Sequence, residues 1–388
     1  MELNFQDYWL IDSSITFLNH GSFGACPIPV LQAQQQLRHQ LERQPLQFFN
    51  HTFEPLLDAA RQALATFVGA EPEGLVFVPN ATTGINAVLR SLPWQAGDQV
   101  LTTNHDYNAC RNALNYVAER AGVQVQVATV PFPLESAAQV MEAVLAKVTP
   151  QTRLVLLDHV TSQTGLIFPI ADLVQKLAGL GIETLVDGAH APGMLPLHLA
   201  TLGATYYTGN CHKWLCAPKG AAFLYVRADR RNLIRPLTIS HGANATRSDR
   251  SRFWLEFDWM GTDDPTASLC VPKALEWMGS LLPGGWPELM HQNHELAIAG
   301  RQIMCERLQI LPPCPDNLIG AMAVLPLPNT TALQLQQTLW KQYSIEVPVY
   351  DWGEPPQQYL RISAQIYNDL EQYDLLASQL LSLLQRED

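Results

Sequence analysis

The sequence predicts an α/β protein in which a mostly parallel sheet is covered by helices on both faces and is followed by a smaller α+β portion. Three observations carry that expectation. Between positions 75 and 226, apolar runs of strand length alternate with segments of helical spacing, the pattern of β-α units assembling a parallel sheet. Runs such as LVFV and LVLL are apolar throughout, as strands buried on both faces require. The chain of 388 residues is 47% hydrophobic and 15% charged, enough for a large core. The expected division places a large domain at 16–262 and a small one at 263–388, with 1–15 packing against the latter.

Taken in order, residues 1–15 read as an extended or loosely helical lead-in. ITFLNHGSFGACP follows, a short apolar run and a turn in which Gly21 and Gly24 suit close approach to a ligand, or simply an ordinary turn before a helix. Helical spacing runs from Pro29 to Arg43 and from Leu56 to Val68, the second ended by Gly69. Leu75 to Val78 is a buried strand; Asn80 to Gly84 form a turn; Ile85 to Leu92 begins a helix. Strand and helix then alternate: QVLTT, a helix through Arg120, VQVQVATV, a helix near Ser136 to Val148, RLVLLDHV, and a helix over Asp172 to Leu180. TLVD, the apolar-aromatic run Ala204 to Tyr207 and the run Gly220 to Val226 complete the sheet. Arg227 to Gly261, rich in arginine and aromatics, reads as a loop region or subunit contact. Beyond it come a helix from Pro265 toward Leu282, broken at Pro283, a long helix Glu288 to Leu308, the strands IGAMAVLPL, VPVY and QYLRISAQIY, a helix from Thr331 to Tyr343, and a last helix from Asp369 to Leu384.

A formal net charge of −12 without any lysine-arginine run argues against nucleic acid and anionic membranes as partners. No apolar run is long enough to span a bilayer, and the acidic start MELNFQDYWLID has no basic segment of the kind that opens a signal peptide. Seven scattered cysteines, an odd number with no CxxC, read as reduced thiols of a cytoplasmic protein rather than disulfides or a zinc site.

The chemistry concentrates between Thr184 and Val226. Asp187 ends one apolar run and Lys213 follows the next, so neighbouring strands deliver an acid and a lysine. A buried ion pair would use the same residues. So would pyridoxal phosphate chemistry, where the amine holds the aldehyde as a Schiff base and the carboxylate keeps the pyridine nitrogen protonated. Ligands on such sheets gather at the carboxyl ends of the strands, where Thr82, Tyr107, Ser162, Asp187 and Lys213 all fall. Thr82 and Thr83 stand at a helix N-terminus, suiting either a phosphate cradle or an N-cap. Six lysines, against eighteen arginines, leave few rivals for the Schiff base. Lys219 is one, but it opens the next strand, at what the parallel pattern makes the wrong end of the sheet. His291 and His294 have helical spacing with no third ligand, and read as a surface pair. No GxGxxG follows a strand, which disfavours a dinucleotide enzyme. Trp254, Trp259, Trp277 and Trp286 are assigned to packing or a subunit contact.

From LNHGSFG through LRIS the chain resembles the class V aminotransferase-like, fold-type I pyridoxal phosphate enzymes, a group that includes cysteine desulfurases, kynureninases and isopenicillin N epimerases. The resemblance implies a homodimer with shared active sites and an amino-acid substrate. It makes Lys213 of GNCHKW the Schiff-base lysine, preceded by His212. It makes Asp187 of LVDGAHAPG the partner of the ring nitrogen and His190 the partner of the cofactor's phenolic oxygen. Ala81 and Thr82 of NATTGIN resemble the phosphate turn, which Thr83 adjoins, and Asn210 adds a contact. Tyr107 of HDYNA is similar to the residue that stacks on the ring, with His105 the second choice. Thr262 of MGTDD resembles the threonine that reaches the neighbouring subunit's phosphate. Arg361 of LRIS is similar to the arginine that holds the substrate's α-carboxylate, and His20 of the HGSFG turn joins it at the substrate. Ser162 stands where cysteine desulfurases carry asparagine, near the cofactor oxygen or the substrate carboxylate.

The segment before Arg361 holds no cysteine, which disfavours cysteine desulfurase. HGSFG, TGN-x-HKW and MGTDDP most resemble isopenicillin N epimerase-like proteins. The expected activity is therefore chemistry at the α-carbon through an external aldimine, ending in epimerisation. The alternatives are C–S lysis of a cysteine conjugate or sulfoxide, transamination, or cofactor binding without turnover. The seven arginines between Arg227 and Arg252 suit a dicarboxylate or peptide-like substrate, or a solvated surface or dimer seam.

Overall fold

The computed structural model describes residues 5–328 and 332–385. Among the described residues, twelve strands form three sheets. β1 (Thr16–Phe17) is a short strand near the amino terminus. Seven strands build the central sheet: β2 (Leu75–Val78), β3 (Gln99–Thr103), β4 (Gln124–Ala128), β5 (Thr152–Asp158), β6 (Glu183–Asp187), β7 (Tyr206–Asn210) and β8 (Ala222–Val226), in the order 2-8-7-6-5-3-4. β9 (Met322–Pro326), β11 (Val349–Trp352) and β12 (Gln357–Ser363) form an antiparallel sheet of order 11-12-9, and β10 (Ile345–Glu346) pairs with β1.

Every pairing in the central sheet is parallel except the two made by β8, which runs against both β7 and β2. The sequence explains the reversal. Only residues 211–221 separate β7 from β8, and they contain no helix, so the chain cannot make the crossover that a parallel neighbour needs. β8 therefore begins at the edge where β7 ends. That corrects the exclusion of Lys219, which lies at the site edge after all.

Helices Asn108–Ala121, Ala137–Leu145 and Ile170–Gly179 connect the parallel strands. The turn expected at Asn80–Gly84 is instead the first turn of a helix, Ala81–Ser91. Its N-cap is Asn80, whose side chain accepts from the Thr83 N–H at 2.8 Å. Asparagine caps as well as any residue and outranks the threonines at this position. Gly84 lets the helix lie against β7, because a Cβ there would meet the Thr208 hydroxyl at 2.4 Å. Phe53–Val68 ends at Gly69 in the left-handed conformation (φ 60°), a favoured helix stop.

The single helix expected from Pro265 is two, Thr266–Leu269 and Val271–Gly279, broken at Cys270 and Pro272. Gly285–Leu308 packs along Leu370–Leu384, and the latter is started by an Asp369–Gln372 capping box. Ala332–Tyr343 matches the expected helix; Thr331 lies outside the described residues. The amino-terminal segment buries Trp9 with Trp277, Met278, Leu289 and Tyr367. No helix among the described residues is long and apolar enough to cross a membrane.

Candidate active site

A cavity of about 390 Å³ opens at the carboxyl edge of the central sheet. The parallel register brings Asp158 of β5, Asp187 of β6 and Asn210 of β7 to that edge, and the antiparallel β8 adds Lys219 and Gly220. Ala81, Thr82, Tyr107, Ser162, Asp187, His190, Asn210, His212 and Lys213 all line it, so the expected residues share one pocket. Larger hollows exist; one of about 750 Å³ lies at the opposite end of the strands, around Asp98, Arg153 and Glu183. None of the expected groups is there.

Lys213 sits in the loop between β7 and β8, half-buried. Its Nζ lies 3.1 Å from His190 Nε2. The Trp214 indole N–H, which can only donate, points at His190 Nδ1 at 3.4 Å. That contact makes Nδ1 the acceptor and places the imidazole proton on Nε2, facing the lysine amine. Burial, reinforced by the Arg361 charge and partly offset by Asp187, pulls the Lys213 amine down to about 7. Burial and the nearby Lys213 charge also push His190 well below its usual value, so the ring is neutral. An amine that is half deprotonated near neutrality, facing a neutral imidazole, is competent both to capture an aldehyde and to take a proton.

The backbone behind Lys213 is fixed. His20 was expected at the substrate, but it is fully buried and does not line the cavity. Its Nδ1 meets the Tyr367 hydroxyl at 2.7 Å and its Nε2 the Lys213 carbonyl at 3.1 Å. Both ring nitrogens are engaged, so His20 holds the lysine loop instead. Gly24 packs against the same loop with φ +67°, and a Cβ there would strike the His212 carbonyl at 2.2 Å.

Asp187 is buried, with each carboxyl oxygen occupied. Oδ1 accepts from the Ala189 N–H and Oδ2 from the Cys110 thiol, both at 3.0 Å. Burial raises its pKa, while these two donors and Lys213 lower it. Asp158, its register partner on β5, lines the same cavity. Burial and then the charge of Asp187 raise the Asp158 carboxyl well above the usual range. Asp158 was absent from the sequence reading, although RLVLLD ends in an acid just as TLVD does. Ser22 and Phe23 also line the cavity and were passed over inside the HGSFG turn.

At the far end, Asn210 Oδ1 accepts from the Ala81 N–H at 2.9 Å and ties β7 to the helix N-terminus. Thr83 spends its hydroxyl on Asn80 at 3.0 Å and belongs to the cap, not to the pocket lining. Lys219 reaches the cavity, but its Nζ donates to the Gly24 carbonyl at 2.8 Å. Tyr107 is 44% exposed at the mouth. His105 is fully buried, bonded to Thr164 and to the Val130 carbonyl and packed on Trp352, which removes it as a stacking residue. Thr262 is exposed on the loop after Phe257 and does not line this chain's cavity.

Arg361 is buried beside the pocket. It donates to the Ser162 carbonyl and, at 3.1 Å, to Ser22 Oγ, while its Nε has no partner. The arginine-rich segment does not serve the site. Arg227, Arg230, Arg231, Arg235, Arg247, Arg250 and Arg252 each pair with an acid of this chain, which removes them as a second carboxylate site. Trp254 packs under Arg61 and Arg250; Trp259, Trp277 and Trp286 pack against other aromatics. His291 is exposed beside Glu295 and His294 binds the Gly320 carbonyl; no metal-binding cluster occurs among the described residues. All seven cysteines are free and buried.

The family model described as aminotransferase class-V matches residues 25–314. The chain belongs to that family. It is 34% identical to an isopenicillin N epimerase of Amycolatopsis lactamdurans over 96% of both chains. It is 29% identical to a putative L-cysteine desulfhydrase of Oryza sativa subsp. japonica, over 94% of this chain and 82% of the relative. A solved C-DES mutant with glycine covalently linked to its PLP cofactor superposes with a TM-score of 0.83 at 22% identity, covering 95% of this chain and 96% of that one. The fold is fold-type I and the cofactor is pyridoxal 5′-phosphate. The pocket fits it: a depressed lysine amine, a buried carboxylate beside it and a helix N-terminus at the far end are the groups that an aldehyde, a pyridine nitrogen and a phosphate require.

Proposed function

We propose that this class V enzyme is an amino-acid epimerase that removes and returns the proton at one α-carbon. The observation that carries it is the 3.1 Å contact between Lys213 Nζ and His190, in a pocket that keeps the amine near neutrality. The 34% identity to an isopenicillin N epimerase supports the outcome. Pyridoxal phosphate, when bound, supplies the electron sink that makes the α-proton removable.

Within this reading, Lys213 holds the aldehyde and, once released, takes the α-proton. Asp187 accepts the pyridine N–H, and His190 Nε2–H donates to the phenolic oxygen. Thr82, Asn210 and His212 hold the phosphate at the helix end that Ala81 opens, with Thr262 supplied across a homodimer. Arg361 engages the substrate carboxylate through its fork, where the orphaned Nε is a donor in waiting. Tyr107, at the mouth of the cavity, returns a proton to the other face. No described cysteine lines the cavity, which speaks against persulfide chemistry.

A second reading, C–S lysis, is favoured by the relatives named for cysteine desulfhydrase. Incubating the holoenzyme with amino acids, cystine and cysteine sulfoxides in deuterium oxide separates the two. Solvent deuterium at the α-carbon with loss of chirality supports epimerisation. Pyruvate release instead overturns it in favour of the lyase.

A further inference from the structure

We propose that Cys110 is a positioning residue for the cofactor, its thiol aiming the Asp187 carboxylate at the pyridine nitrogen. The inference rests on the assignment of Asp187 above and extends it to a residue outside the pocket lining.

Cys110 stands in the first turn of the helix Asn108–Ala121 and is 1% exposed. It belongs to an apolar cluster that includes Leu114, Leu156 and Leu185, so an aliphatic side chain would suit the packing. Yet Sγ lies 3.0 Å from Asp187 Oδ2, short for a sulfur donor, while Oδ1 is taken by Ala189 N–H. Two donors on two oxygens fix the rotation of the carboxylate, a constraint that neither supplies alone. A thiol is also a weak donor, so it orients the carboxylate while withdrawing little charge from it. Other charged groups around the pair are Asp158 on β5, Asp106 bound to Arg111 at 2.8 Å, and Lys213 across the cavity, with the Tyr207 hydroxyl also near. Burial and then the charge of Asp187 raise the thiol's pKa well above its usual value, so Cys110 stays protonated and remains the donor.

The test compares wild type with Cys110→Val, Cys110→Ser and Asp187→Asn. The readouts are apoprotein melting temperature, pyridoxal phosphate dissociation constant, and the pH titration of the bound cofactor's visible absorbance. Valine fills the space and donates nothing; serine donates. Cys110→Val is expected to weaken cofactor affinity about tenfold, the low end for a hydrogen bond to a charged group, and to shift the absorbance titration. Cys110→Ser is expected to recover most of both, with apoprotein melting close to wild type in each. Wild-type affinity and titration in Cys110→Val overturn the inference, as does equal weakening in valine and serine variants. A lowered melting temperature with unchanged affinity also overturns it, since the role is then packing alone. If Asp187→Asn binds the cofactor as tightly as wild type, the assignment of Asp187 fails along with the inference. If only Cys110→Val behaves as wild type, the inference fails and the assignment stands.

Discussion

The rate at which the apoprotein captures pyridoxal phosphate should level off near neutral pH. Only the neutral amine attacks an aldehyde. An ordinary lysine, with its value at 10.5, is about one part in 3,000 neutral at pH 7. Lys213, drawn down to about 7 mainly by burial, is about half neutral there. The gain in reactive amine is on the order of a thousandfold, or about 4 kcal/mol of effective barrier. The perturbation is pH itself, with Arg361→Met as a second arm. Arg361 is the second-largest cause of the depression, so removing it should move the plateau upward. The assay is stopped-flow mixing of apoprotein with cofactor from pH 6 to pH 10, followed by visible absorbance. The expected profile rises to about pH 7 and flattens above it. A rate that climbs log-linearly to pH 10 would refute the reasoning, because it would mean that the pocket does not deprotonate the lysine.

The same amine affects stability. Its folded pKa lies below its unfolded one, so the unfolded chain binds the extra proton between pH 7 and 10.5, and apoprotein stability should rise with pH across that window. Lys213→Met should accordingly stabilise the apoprotein by up to about 5 kcal/mol at pH 6 and hardly at all at pH 10.5, measured by urea unfolding. Arg361→Lys replaces a planar fork with a point charge, and KM for the substrate should rise about tenfold or more, with a smaller change in kcat. Asp258→Ala would leave the buried Arg61 and Arg250 without the carboxylate that joins them at 2.5 and 2.8 Å. Denaturant unfolding should show a loss of about 3–5 kcal/mol, and a loss under 1 kcal/mol would contradict the network.

Much of this site was legible because strand ends are legible. TLVD and the run Ala204 to Tyr207 mark two neighbouring strands, and a parallel pair must bring its carboxyl ends together. The failures share a physical cause. Lys219 was excluded by assuming that β8 continued the parallel pattern, whereas an eleven-residue connection without a helix reverses direction. His20 was placed at the substrate because its glycine-rich turn suits approach to a ligand, but a tyrosine 347 positions away closes over its ring. The arginine-rich segment left an anion site open beside a solvated surface or dimer seam, because four of its acid partners, Glu54, Asp58, Glu71 and Glu183, lie far off in the chain. Periodicity reports which face is buried; it does not report which distant side chain completes a hydrogen bond.

The charge balance of the pocket follows from that geometry. Three acids, Asp106, Asp158 and Asp187, lie buried along neighbouring strand ends; Arg111 is already bound to Asp106, Lys213 is only half charged, and the other cations of the pocket, Lys219 and Arg361, are bonded to the Gly24 carbonyl and to Ser162 and Ser22. Desolvation forbids two further carboxylates from ionising side by side, so Asp158 carries its proton while Asp187, held by two donors and Lys213, is the one able to ionise. A cationic pyridine ring therefore adds its positive charge next to the acid best prepared to receive it. Asp158→Asn, neutral and nearly isosteric, should consequently leave cofactor affinity within about threefold of wild type, whereas Asp187→Asn should weaken it by tenfold or more. Titrating the two variants with pyridoxal phosphate decides the matter. Equal losses would show that both acids are ionised and that the balance is drawn wrongly.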